Sequence, residues 1–175
     1  MTHTIAVREA VIDDVHVLAS IGQASFTDAY EASSEPSDLL AHLDEFYSEA
    51  AVRDAMEDPH CWYLLATRED TGAGFVKIRD SETPAGVPAQ RAFELSQVYV
   101  VPDQQRFGIG GRLLEAAAGF AAQRAATGVW LSVWEDAPWA INCYRKYGFD
   151  QVGTAEFRVG ETVYHDLLMW LAVKD

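Results

Sequence analysis

The stretch "VYVVPDQQRFGIGGRLLEAA", Val98 to Ala117, runs an apolar strand through a proline and "QRFGIGG" into an alanine- and leucine-rich helix. Glycine in a helix interior costs about 0.8–1 kcal/mol relative to alanine. Three of them at a helix entrance, Gly108, Gly110 and Gly111, point to backbone that is wanted bare. A helix N-terminus exposes unpaired N–H groups and the positive end of the helix dipole, and an anion seated there collects hydrogen bonds from the backbone. Gln105 to Arg112, with Phe107 and Ile109 inside the run, therefore reads as a cradle for a phosphate or pyrophosphate, and Arg106 and Arg112 add cationic donors. It is not a P-loop, because no G-x-x-x-x-G-K-[ST] is present. It is not G-x-G-x-x-G, because position 113 is leucine. The competing reading is a tight turn with close strand–helix packing.

Outward from this stretch, the chain reads as alternating elements. "TIAVREA" from Thr4 is a short strand. "DDVHVLASIGQASF" from Asp13 has apolar residues near helical period, and further helices are expected after a Ser37 cap and a Ser48 cap. "CWYLLAT" and "AGFVKIRD" form a hairpin across "REDTG", and "SETPAGVPAQ" is an exposed loop. "RAFELSQVYVV" is a long strand, "GVWLSVW" another, and "PWAINCYRKYG" a helix ended by Gly148. Two last strands meet at Gly160-Glu161. No repeat or linker interrupts the pattern, so residues 1–175 are expected to form a single α/β domain with a mixed sheet of about six to seven strands flanked by helices.

Charge excludes some partners. The 175 residues carry a formal net charge of −14. Between Glu9 and Asp70 only Arg53 and Arg68 offset a long series of Asp and Glu, while the rest of the chain is nearly balanced. Such a field argues against nucleic acid and favours a cationic small molecule, although a solvated acidic face would give the same composition. No apolar run approaches the roughly 20 residues of a membrane span, and "MTHTIAVREAVIDD" lacks the basic and apolar regions of a signal peptide. Cys61 and Cys143 show no paired spacing and read as reduced thiols of a cytoplasmic protein. The five histidines show no ligand spacing, so no metal is expected.

The order "ELSQVYVVPDQQRFGIGGRLL…WLSVWE…AINCYRKYGF…DLLM" covers about half the chain and resembles the GCN5-related N-acetyltransferases, most of all the bacterial spermidine/spermine-type enzymes. The resemblance implies a sheet with splayed central strands and acetyl-CoA as co-substrate. It implies that Gln105-x-x-Gly108-x-Gly110 holds the CoA pyrophosphate. It implies that Val98, Tyr99 and Val100 meet pantetheine and the developing oxyanion through backbone, as an open strand edge meets an extended amide-rich ligand.

Tyr144 matches the family's tyrosine beside the cofactor sulfur, and a phenol protonated at neutral pH can act as the acid. Glu94 and Glu135 are the two candidate bases, and each reads equally well as a solvated carboxylate. Phe26, Tyr30 and Trp134, with Phe157 and Glu31 near them, would suit a cation carrying an apolar chain, and Phe26 and Trp134 also read as core residues. Ser96 and Gln97 depart from the acidic residue and arginine of the polyamine enzymes, and Ala137 replaces a frequent asparagine. The acceptor is expected to be a small polyamine-like amine. The alternatives are a peptide or protein amine, or an acyl-CoA-binding module without turnover. A homodimer is compatible with the resemblance.

Overall fold

The computed structural model describes residues 4–173. Seven strands form one mixed sheet: β1 (Ile5–Glu9), β2 (Cys61–Arg68), β3 (Thr71–Arg79), β4 (Ala92–Val100), β5 (Gly128–Trp134), β6 (Asp150–Val159) and β7 (Thr162–Ala172). Their order across the sheet is β1-β2-β3-β4-β5-β7-β6. All neighbours are antiparallel except β4 and β5, which run parallel because the helix α4 (Ile109–Gln123) carries the chain back between them. The helix α5 (Pro138–Lys146) joins β5 to the edge strand β6. Before β2 come α1 (Val15–Tyr30), α2 (Pro36–Tyr47) and α3 (Glu49–Glu57).

Alternation along the strands sends side chains to two different layers. Leu64, Ala66, Val76, Ile78, Phe93 and Leu95 pack with Leu113, Leu114 and Ala117 of α4 and Ile141 of α5. The intervening Tyr63, Leu65 and Phe75 pack instead with Val15, Leu18 and Ile21 of α1 and Val52 of α3. The sheet therefore has a face covered by α4 and α5 and an opposite face covered by α1 to α3.

The local signals work mostly as physics predicts. Ser48 caps α3 by accepting from the Ala51 N–H at 3.2 Å. The α2 helix begins with Pro36 at its first turn rather than at a Ser37 cap, because proline's missing N–H costs nothing there. Glu69 and Asp70 both have positive φ, 52° and 63°, and make the tight β2–β3 turn. Arg8 and the aspartate that precedes α1 lock the β1–α1 corner: Asp14 takes two bonds from the Arg8 guanidinium, at 2.7 and 2.8 Å, and one from the Val11 N–H.

Two features open the middle of the sheet. β4 and β5 pair over three positions only, from Ala92↔Gly128 to Glu94↔Trp130, and then diverge. Where they diverge, the pairing of β4 with β3 skips a residue: Ile78 faces Leu95 and Lys77 faces Gln97, so Ser96 is a β-bulge. A bulge bends its strand and increases its local twist. The result is a wedge-shaped gap, open at the ends of β4 and β5.

Candidate active site

The gap has two sides, the β4 edge with the loop after it, expected to take the donor, and an opposite side expected to take the acceptor. On the donor side, the Val101 N–H bonds to the Ala73 carbonyl on β3 at 3.0 Å. Strand alternation then turns the N–H and C=O groups of Val98 and Val100 toward the gap, where β5 no longer pairs with them. The Gln105 amide donates to the Val100 carbonyl at 3.2 Å and ties the following loop to the strand end.

The loop itself is strained in the way a cradle requires. Arg106 and Gly108 have φ of 73° and 80°, and Gly108 is the N-cap of α4. The Arg112 N–H bonds back to the Gly108 carbonyl at 3.2 Å and closes the first turn, so the N–H groups before it have no helical acceptor. A Cβ built on Gly108 or Gly110 would meet nothing within 4 Å, whereas one on Gly111 would run into the ring of Tyr147, which caps the C-terminus of α5. The three glycines thus do three different things. Gly108 supplies a left-handed turn, Gly110 keeps the anion face open, and Gly111 lets α4 and α5 approach.

Arg106 and Arg112 are exposed beside this face, so the cradle fits a pyrophosphate in charge and in space. One prop was missed in the sequence. Arg68, at the end of β2, lies 3.7 Å from the centre of the half-exposed Phe107 ring and donates to Gln104 at 2.9 Å. Nothing in the sequence places β2 under this loop.

At the junction of the two sides stands Tyr144 on α5, its ring edge-on to Phe149 at 5.7 Å. Burial pushes its phenol well above the usual range, with the neighbouring Cys143 adding to the shift, so it stays protonated at neutral pH. Ala137 is buried at the N-cap of α5 and offers that helix end no side-chain bond.

The acceptor side is aromatic. Tyr30 stacks on Phe26 at 4.4 Å and meets Trp134, Phe157 and Tyr164 at 5.9, 5.9 and 5.2 Å. Burial, followed by the neighbouring Tyr99 and Asp166, raises the Tyr30 phenol far above its ordinary value. The Tyr164 hydroxyl holds Ser33 and Ser34, at 3.0 and 2.8 Å, and so pins the α1–α2 turn against β7. Tyr30, Trp134 and Phe157 line this side. Phe26, expected either to touch the acceptor or to belong to the core, is 1% exposed and stacked between Tyr30 and His42, so it packs behind the wall as a core residue.

The two candidate glutamates are separated. Glu94 sits where β4 and β5 still pair, takes a bond from the Ser81 hydroxyl at 3.0 Å and faces Arg79 at 3.7 Å. Glu135 is exposed at the open end of β5, as Glu31 is at the end of α1.

Asp166 was not singled out in the sequence. It lies on β7 opposite Trp134 and is 6% exposed. Burial pushes its carboxyl up; the hydroxyl of Ser132 beside it opposes the shift, and Glu135 adds to it. A signal was present: in "TVYHDLLMW" an acid holds a position between Tyr164 and Leu168 on a face that is otherwise apolar.

Comparison with known proteins agrees with this geometry. Residues 23–149 match the model of the "Acetyltransferase (GNAT) family". An uncharacterised N-acetyltransferase of Mycobacterium tuberculosis is 26% identical over 156 residues, covering 89% of this chain and 96% of that protein. One from Lactobacillus delbrueckii subsp. lactis is 21% identical over 156 residues, covering 89% and 90%. Among solved structures, the PaiA N-acetyltransferase of Thermoplasma acidophilum in complex with coenzyme A superposes with a TM-score of 0.76 at 20% identity, covering 97% of this chain and 99% of that one. The ribosomal-protein-S18-alanine N-acetyltransferase of Escherichia coli superposes with a TM-score of 0.71 at 18% identity, covering 98% and 96%.

Proposed function

Because the chain belongs to the acetyltransferase (GNAT) family, and is therefore an N-acetyltransferase with acetyl-CoA as co-substrate, we propose how its own residues divide the reaction and which amine they receive. Gly108 to Arg112, with Arg106, hold the pyrophosphate on free N–H groups. The backbone of Val98 and Val100 receives the amide-rich arm of the co-substrate along the unpaired edge of β4, with Tyr99 between them facing the acceptor side.

The acceptor is a small primary amine of polyamine type, a cation on an apolar chain. The observation that carries this reading is the aromatic wall of Tyr30, Trp134, Phe157 and Tyr164 under an acidic set of covering helices.

In the reaction the neutral amine attacks the thioester carbonyl from the acceptor side. The C–N bond forms, the oxyanion is met by backbone N–H groups of β4, and the C–S bond breaks. Tyr144 gives its proton to the departing thiolate. Its raised pKa keeps that proton available at neutral pH. The amine's own proton leaves toward the carboxylates at the open end of the gap. Glu135 is better placed for this than Glu94, which Ser81 and Arg79 already hold at the closed end.

The test is thiol release from acetyl-CoA across a panel of monoamines, diamines, polyamines and peptide N-termini. Diamines and polyamines should give the highest kcat/KM. A preference for peptide N-termini would replace the acceptor proposed here. Tight co-substrate binding with no release above hydrolysis for any amine would leave a binding module.

A further inference from the structure

The acceptor wall surrounds a carboxylate that the fold satisfies only in part. Asp166 is 6% exposed, and its Oδ1 has no hydrogen-bond partner among the described residues. A buried charged group left half-satisfied is costly and calls for an explanation, and a ligand that completes it is one. The contrast with Asp14 is direct: that aspartate is equally buried, and both of its oxygens are taken by Arg8.

The position of Asp166 is also telling. Its neighbour Ser132 lies in the middle of β5, a central strand, yet it is exposed. A central-strand residue is solvent-accessible only where no helix covers that face, so Ser132 marks the floor of the gap. Asp166 stands next to it, opposite Trp134, and is close enough to Tyr30, Tyr99 and Glu135 to shift or share in their electrostatics. A carboxylate at the base of an aromatic wall is complementary to an alkylammonium group, whose charge meets the carboxylate and ring faces while its chain lies on the apolar edges.

We propose that Asp166 is the docking group for a second, non-reacting ammonium of the acceptor, held from below by Ser132 and walled by Tyr30, Trp134 and Tyr164. This rests on the amine-acetylating reading above and assigns the atom that selects a cation over a neutral chain of the same length. Oδ1 accepts from the ammonium, and the site discriminates against alcohols because a hydroxyl leaves the buried charge uncompensated.

The test uses the whole protein saturated with coenzyme A, so that no turnover occurs, titrated with n-hexylamine and with n-hexanol. The wild type should bind the amine more tightly than the alcohol. Asp166→Asn keeps the shape and removes the charge, and should weaken n-hexylamine binding by about tenfold or more while leaving coenzyme A affinity and n-hexanol binding unchanged. Ser132→Ala, which removes the hydroxyl beside the carboxylate, should weaken amine binding by less, and it carries the test if Asp166→Asn does not fold. Undiminished amine binding in a folded Asp166→Asn protein, or in Ser132→Ala where that variant must stand in, overturns the docking role and leaves the acetylation of amines intact. A wild type that neither binds n-hexylamine nor releases thiol with any amine overturns both.

Discussion

The two faces of the sheet are both close-packed but differ in the polar groups they bury. On the face under α4 and α5, Phe93, Leu95, Leu113, Leu114 and Ala117 interlock with almost no exposure. On the face under α1 to α3, polar atoms are buried without partners, Ser25 Oγ, Tyr63 Oη and Asp166 Oδ1 among the described residues, and Trp130 Nε1 is likewise buried beside Val87, under the segment between β3 and β4. The only other such atom is Arg68 Nε, beside the donor loop. The first face maximises packing and fixes the loop that meets the co-substrate. The second accepts unsatisfied groups, which cost on the order of 1–3 kcal/mol each. Buried polarity without partners thus falls largely on one side of the sheet.

The largest effect should come where the sides meet. Tyr144→Phe removes one hydroxyl and little packing, so kcat should fall by roughly 100-fold or more, within the range of general acid catalysis. Coenzyme A affinity should stay within about twofold of wild type, the margin expected when a transition-state interaction is lost and binding is not. An unchanged kcat in steady-state assays would remove Tyr144 from the acid role and make it a packing residue of the closed face.

The next effect separates packing from ligand access within a single loop. Gly111→Ala drives a methyl group into Tyr147 and should destabilise the protein by about 1–3 kcal/mol, seen as a lower melting temperature. Gly110→Ala meets no protein atom and should hold or raise thermal stability by up to about 1 kcal/mol. Its cost should appear instead as weaker coenzyme A binding in titration. Equal melting temperatures for the two variants would mean that the loop does not distinguish these tasks.

Smaller effects come from the two buried aspartates. Asp14 is held below the usual carboxylate range, first by Arg8 and then by the Val11 N–H, with burial opposing them. Its contribution is present above its unfolded pKa and is lost as pH falls through its folded one. Asp14→Asn should therefore lower stability by about 1–2 kcal/mol at neutral pH, since hydrogen bonds to a charged group are lost and Arg8 is half exposed. The deficit should shrink in acid denaturation scans.

Asp166 has the opposite sign. Its folded pKa is raised, so its contribution is fully present at low pH and lost as pH rises through that value. Asp166→Asn should be at least as stable as wild type at neutral pH, with the difference vanishing in acid. A destabilised Asp166→Asn at neutral pH would place Asp166 on the structural side of the comparison.

The donor half was largely legible in the sequence because it is local. The strand, the loop, the capping glycine and α4 are contiguous, and their chemistry follows from backbone geometry in one short run. The acceptor half was legible only as a composition. Tyr30, Trp134, Phe157 and Tyr164 come from α1, β5, β6 and β7, and only the folded sheet sets them 5–6 Å apart. Phe26 reads the same as Tyr30 in one dimension, yet its ring falls behind the wall because the helix turns it toward His42. Asp166 was hidden for the same reason, since the partners it lacks can be seen only once its neighbours are in place. The Ser96 bulge was concealed by a strand whose composition is ordinary.

That bulge has a consequence for counting. Phe93 and Leu95 face α4, and so do Val98 and Val100, although an unbroken strand would have put positions 97 and 99 there. One surplus serine changes odd into even. Below it the strand obeys one parity, and above it the other, which is why Tyr99 shares a side with Glu94 and reaches Tyr47 at 3.1 Å. The gap between β4 and β5 opens just where one strand contains one more residue than its neighbour can match.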